Sequence, residues 1–289
     1  MSDKLLPPII TGLVTISIFL FTIWKDKIKD NRKRRKENSQ KNVYLLNLLQ
    51  DTIQHIEGQI QHNKVLINDL RASPTSASIL TYMPIKYLDR LSAVLANDSY
   101  FAAFNNIYSK IDEEKRIKIY NDLAIDIDLF HGYMTELYIY IEKGSEYYEN
   151  FKSNYFEASK LLIRNLGDLH LKVSGPDRKD MDTEELSSVL DKFNYEDIIN
   201  ALKTHDMIYM NKLVGQLQQK LVSLLVPLFL YEKSVTSLCT DCQNANEQYH
   251  GLINGNNNLR ESVEQLNITM QHTLTDFKQK LSMMKGALK

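Results

Sequence analysis

Three short stretches hold side chains whose types and spacing can support chemistry. Cys239 and Cys242 stand three apart in CTDC, which on a helix puts both thiols on one face, as in a redox pair or part of a metal site. Arg164 and His170 stand six apart in RNLGDLH, joining a permanent cation to an imidazole. His205 and Asp206 are adjacent in THDM. The cysteines have no second pair to complete a metal site, no strand precedes them, and Cys242 falls in phase with an apolar seam. They read as small core residues, and neither a metal nor a cofactor is expected. A P-loop, a dinucleotide fingerprint, a G-x-S-x-G elbow and an H-E-x-x-H pair are all missing, which removes the enzyme classes most legible in sequence.

Two of these stretches resemble known motifs. RNLGDLH resembles the arginine–histidine signature of HEPN-type ribonucleases, in which the residue after the arginine is usually Asn, Asp or His; here it is Asn165. That resemblance implies a helical bundle, usually dimeric, acting as a ribonuclease or toxin, with Arg164 and His170 as the catalytic pair. Residues six apart on a straight helix lie about 120° apart around its axis, so convergence would need a break at Gly167 or a second subunit. His205-Asp206 resembles the dyad of the HD phosphohydrolases, which are also all-helical. Their metal site needs a further upstream histidine and a downstream aspartate, for which His170 and Asp241 are the available residues.

The elements that must position these residues are long helices. Apolar residues alternate at spacings of three and four over three stretches, the signature of coiled-coil-like seams. The first runs from Leu46 to Leu70, with Asn63 as its polar interruption and candidate register-setting residue. The second runs from Tyr120 to Leu169, with Gly144 and Asn165 in its two missing slots. The third runs from Met207 to Leu252. Breaks are expected at 71–78, at a helix start beside Asp112, and at 173–185, with shorter helices near 84–110 and 184–202. The NGNNN run at 254–258 reads as a hairpin turn, although Leu259, Val263, Leu266, Met270 and Phe277 keep the same phase beyond it. Pro227 predicts a kink, and the apolar run 221–231 predicts the buried centre of the bundle. The fold class expected is all-α: an N-terminal transmembrane helix followed by an elongated helical bundle.

The expected anchor is residues 5–24, twenty residues without a charge, followed by a basic run. Lys25, Lys27, Lys29, Arg32, Lys33, Arg34, Arg35 and Lys36, set against two aspartates, give that run a net charge of +6. Positive charge marks the cytoplasmic flank and suits anionic lipid headgroups. The expected organisation is an outer tail over 1–4, the membrane anchor over 5–24, a basic stalk over 25–41 and a cytosolic helical domain over 42–289, with a subdivision near 173–185. Residues 42–289 carry a net charge of −7, a poor attractor of nucleic acid, and two cysteines in the whole chain suit a reducing compartment.

Residues 133–155 hold six tyrosines. Tyr148 and Tyr155 fall on the seam, whereas Tyr140 and Tyr147 fall off it and suit a partner surface. The function expected is a single-pass, membrane-tethered scaffold, adaptor or effector that works through protein–protein contacts or self-association along its seams. Its topology is similar to that of bacterial division and envelope regulators and of membrane-anchored phage-defence components. The alternative is a membrane-anchored HEPN-like ribonuclease using Arg164 and His170.

Overall fold

In the computed structural model of the chain, the described residues are 6–77, 86–174, 186–188, 190, 195–204, 206–224 and 232–287, with side chains described from Ile16 onward except at 174, 195, 196, 224 and 232. They contain seven principal helices and no strand. These are α1 (Leu6–Ala72), α2 (Lys86–Leu95), α3 (Asp98–Ile107), α4 (Glu113–Ser174), α5 (Tyr195–Lys203), α6 (Met207–Leu224) and α7 (Glu232–Ala287). The all-α expectation holds.

The membrane assignment does not. Among the described residues no helix is long and apolar enough to cross a membrane, which overturns the single-pass anchor and the outside–inside orientation derived from it. The stretch expected to span reaches into residues 1–5 and the side chains of 6–15, which lie outside the described ones. The part of the apolar run whose side chains are described, Ile16 to Trp24, is nine residues, about 14 Å of helix against a hydrocarbon core of about 30 Å. Its larger side chains, Phe19, Leu20, Phe21 and Trp24 among them, are exposed. α1 continues unbroken into the basic run, whose eight cationic side chains are also exposed.

A second correction concerns 254–258. No turn forms there, and α7 runs through it as part of a 56-residue helix. The heptad phase from Val235 to Phe277 decides the matter, since the seam residues Leu252, Val263, Leu266 and Met270 on either side of the asparagines are all buried. The expected kink at Pro227 and most of the 173–185 loop lie outside the described residues.

The chain divides into two compact units, each assembled from separate stretches. Unit 1 comprises 1–60, 83–133 and 269–289. Within it α1 and α7 run antiparallel, as the pairs Gln50–Lys285 and Glu57–Lys278 show. Its core includes Leu49, Ile53, Ile56, Leu123, Ile127, Phe130 and Phe277, with the Phe130 and Phe277 rings edge to face at 6.0 Å. The short helix α2 is held at three points. Tyr87 stacks on His55 of α1 at 4.1 Å, Asp89 lies 3.7 Å from His131 of α4, and the Tyr120 hydroxyl donates to the Leu95 carbonyl at 3.0 Å. α3 is capped by Asn97, whose side chain accepts from the Ser99 amide, and Asp112 starts α4 by accepting from the Lys115 amide.

Unit 2 comprises 61–82 and 134–268. Its apolar core is built by α4, α5, α6 and α7 around Tyr155, Leu162, Leu169, Val214, Leu217, Val235 and Leu238. Each fully buried side chain of this size contributes roughly 1.5–3 kcal/mol, so burial along the seams is a large term holding these helices together. The turn after α1 is fixed by α7 and α4. Asn256 donates to the Pro74 carbonyl at 2.6 Å, and Tyr148 donates to the Thr75 carbonyl at 3.4 Å.

Candidate functional site

The two tyrosines that fall off the seam line one groove in unit 2. α4 supplies Tyr140, Lys143, Gly144, Tyr147 and Phe151; α7 supplies Gly251, Asn254, Gly255, Asn258, Leu259 and Ser262. The groove encloses about 470 Å³. Its floor follows from an interlock between antiparallel helices. A methyl group on Gly251 would fall 2.4 Å from the Phe151 ring, and one on Gly144 would fall 2.7 Å from a Leu259 methyl. The Tyr147 Cβ lies 3.9 Å from the corresponding point on Gly255. Each glycine therefore receives a large side chain from the facing helix, and the backbones come close enough to leave a channel between the side chains above them.

The walls differ in chemistry. The α4 side is aromatic: Tyr147 is 57% exposed, and the Tyr140 hydroxyl donates to Glu136 one turn earlier. That hydrogen bond to a carboxylate is the main cause holding the Tyr140 phenol above its ordinary pKa. The α7 side is polar, with Asn254, Asn258 and Ser262 at successive four-residue intervals. Asn256, between them in sequence, is buried and spent on the turn after α1, while Asn254 and Asn258 are exposed. On the inner side of the Gly144–Leu259 contact lies a second cavity of about 310 Å³, lined in part by Leu66, Leu70, Ile141 and Tyr148.

The other candidate residues do not assemble. Arg164 and His170 are both exposed on unbroken α4, whose buried face here is Leu162, Leu166, Leu169 and Val173. No break occurs at Gly167, so within one chain the two side chains diverge. Asn165, which follows the arginine, donates to the Asp241 carboxylate at 2.7 Å and ties α4 to α7. That hydrogen bond also occupies the aspartate available for a phosphohydrolase metal site. Asp206 caps α6, accepting from the Tyr209 amide at 2.9 Å, and His205 lies outside the described residues. Among the described residues no group of three or more His, Cys, Asp or Glu is placed to hold a metal ion. Cys242 is buried, its thiol pushed up to about 12 chiefly by burial, and Cys239 is partly buried and also raised. Neither has the lowered pKa of a redox or ligating thiol.

Sequence reasoning placed Tyr140 and Tyr147 by their departure from the seam but missed the opposite wall. It took the asparagines for a turn, because Asn and Gly favour turns as strongly as they serve a groove. The four-residue spacing of Asn254, Asn258 and Ser262 was the available signal. No family model, curated protein or solved structure matches the chain.

Proposed function

We propose that this chain is a helical scaffold or adaptor that works through protein–protein contacts, with the α4–α7 groove of unit 2 as its contact site. The observation carrying the reading is the convergence of Tyr140, Tyr147 and Phe151 on one groove faced by exposed amides. Tyrosine gives a large contact area at low cost in side-chain entropy and can hydrogen-bond at its tip, which suits it to recurrent contact with another protein. The interlocked glycines support the same role, since a groove floored by two packed helices is preformed and needs little ordering on binding.

The test is site-directed photo-crosslinking in cells that express the full chain. A photoreactive phenylalanine analogue replaces Tyr147, and a control replaces Leu171, which is 73% exposed on the same helix and far along it from the groove. A discrete protein adduct formed from position 147 and not from position 171 supports the reading. Equal adducts from both positions, or none from either, overturn it.

A further inference from the structure

Resting on that reading, we infer that the groove's occupant is an extended segment of a partner protein, gripped through its backbone by the α7 amides and carrying an acidic residue opposite Lys143. The spacing argues first. Four helical residues rise about 6 Å, so Asn254, Asn258 and Ser262 present hydrogen-bonding groups at that interval. An extended chain repeats every two residues, or about 6.6–6.8 Å, so successive amides can meet successive outward-facing peptide groups. From Gly251 to Ser262 the wall is about 16 Å long, enough for about five extended residues.

Hydrogen-bond complementarity argues second. A carboxamide both donates and accepts, which matches the free N–H and C=O of an extended backbone. A partner helix has already used those groups internally. Laying its apolar face on Asn254 and Asn258 would strip two amides of water and leave them unpaired. Neither asparagine is engaged in the fold, in contrast to Asn256, so both are available to a ligand. Alternate side chains of an extended segment would then turn towards Tyr140, Tyr147 and Phe151, the apolar half of the groove. Charge argues third: Lys143 is the one charged side chain among the described lining residues, so an acidic side chain is the complementary partner at that end.

The experiment uses the full chain and a phage-displayed library of random heptapeptides, with affinities of the enriched peptides then measured in solution. The expected sequences alternate apolar residues at i and i+2 and carry an acidic residue near one end. Asn254→Leu with Asn258→Leu should weaken their binding about tenfold or more without lowering the melting temperature, since the fold uses neither side chain and leucine favours the helix more than asparagine does. Lys143→Glu should shift the enriched charge from acidic to basic. Peptides with apolar residues at i, i+3 and i+4, binding that ignores both asparagine substitutions, or no enrichment would each overturn the inference. A specific adduct from position 147 together with amide-independent peptides removes the extended-segment inference alone. Absence of both adduct and peptides removes the contact site as well.

Discussion

Asn63 donates a hydrogen bond to Asn267 across 3.2 Å, and neither residue is more than 3% exposed. The pair joins α1 to α7 inside unit 2, next to the apolar seam residues Leu66, Ile67, Val263 and Leu266. A buried amide can be satisfied in few arrangements, whereas leucine and isoleucine pack acceptably in several. Sliding α1 by one heptad would bring another amide-free seam position opposite Asn267 and leave it without this donor. The pair therefore fixes register, at some cost to what an all-apolar seam would give. Asn63→Ala should destabilise the chain by about 1–3 kcal/mol, because it leaves a buried acceptor exposed to no water. Asn63→Leu combined with Asn267→Leu should recover most of that loss. Guanidinium unfolding followed by far-UV circular dichroism measures both, and a double variant as unstable as the single one would remove the register argument.

The glycines divide into two groups with opposite expected responses. At Gly251 a methyl group would meet the Phe151 ring at 2.4 Å, while at Gly132 nothing lies within 4 Å. Alanine is favoured over glycine in a helix interior by about 1 kcal/mol, so Gly132→Ala should raise the melting temperature. Gly251→Ala has the same propensity gain but forces the ring aside, an overpacking that costs about 1–3 kcal/mol. Its melting temperature should fall. Gly144→Ala should lie between them, because the atom it meets is the end of a flexible leucine. Any other order in thermal melts would mean that the helices do not interlock as closely as these distances imply.

How much of this was legible in sequence depends on which physical term decided each element. The seams were legible because burial follows the apolar period directly: Ile53, Ile56, Leu123, Phe130, Val214 and Leu217 all lie where the three–four spacing puts them. The start of α4 was legible through the capping chemistry of Asp112. The stretch 254–258 was misread because local propensity and long-range packing disagree there. Five consecutive turn-forming residues lose to a seam continuing on both sides, since each buried leucine or valine outweighs the propensity of a single asparagine. The groove was half legible. Departure from a seam marks Tyr140 and Tyr147 as surface, but which helix faces them depends on pairing α4 with α7 more than a hundred residues later, and no local pattern encodes that. The apolar N-terminal stretch shows the converse: a chargeless run reports composition alone, and its described side chains, Ile16 to Trp24, are exposed.

Asp126 predicts how stability responds to pH. It is buried on α4, 2.5 Å from the Lys280 ammonium, with Asp122 and Asp276 close enough to add negative field. Burial is the largest influence and raises its pKa; Lys280 opposes that through both its hydrogen bond and its charge, and the two other aspartates reinforce it. An acid whose pKa is raised by folding contributes stability that is fully present below its unfolded pKa and is lost as pH rises through its folded pKa. Asp126→Asn removes that titration while keeping a carbonyl for Lys280. The melting temperature of the variant minus that of the natural chain should therefore grow as the pH rises above about 4, the ordinary aspartate range. A difference that stays flat, or shrinks, would show that Lys280 outweighs the cost of burial.

Cys239 and Cys242 test the last reading taken from sequence, that a C-x-x-C pair can be plain packing. Cys242 is fully buried against the unit 2 core, and its thiol is raised to about 12 by burial first and by its neighbours Cys239 and Asp241 after that. Only the thiolate attacks a disulfide reagent, so at neutral pH this residue is protected both by inaccessibility and by its protonation. Cys239 is partly exposed. Labelling of the native chain with an aromatic disulfide reagent should therefore modify one thiol slowly, and the second should react only after denaturant is added. Cys239→Ser should abolish labelling of the native chain and leave one thiol reactive when unfolded. Rapid labelling of both thiols, or an internal disulfide formed under mild oxidant, would mean that α7 opens around Cys242. Packing alone would then no longer account for the pair.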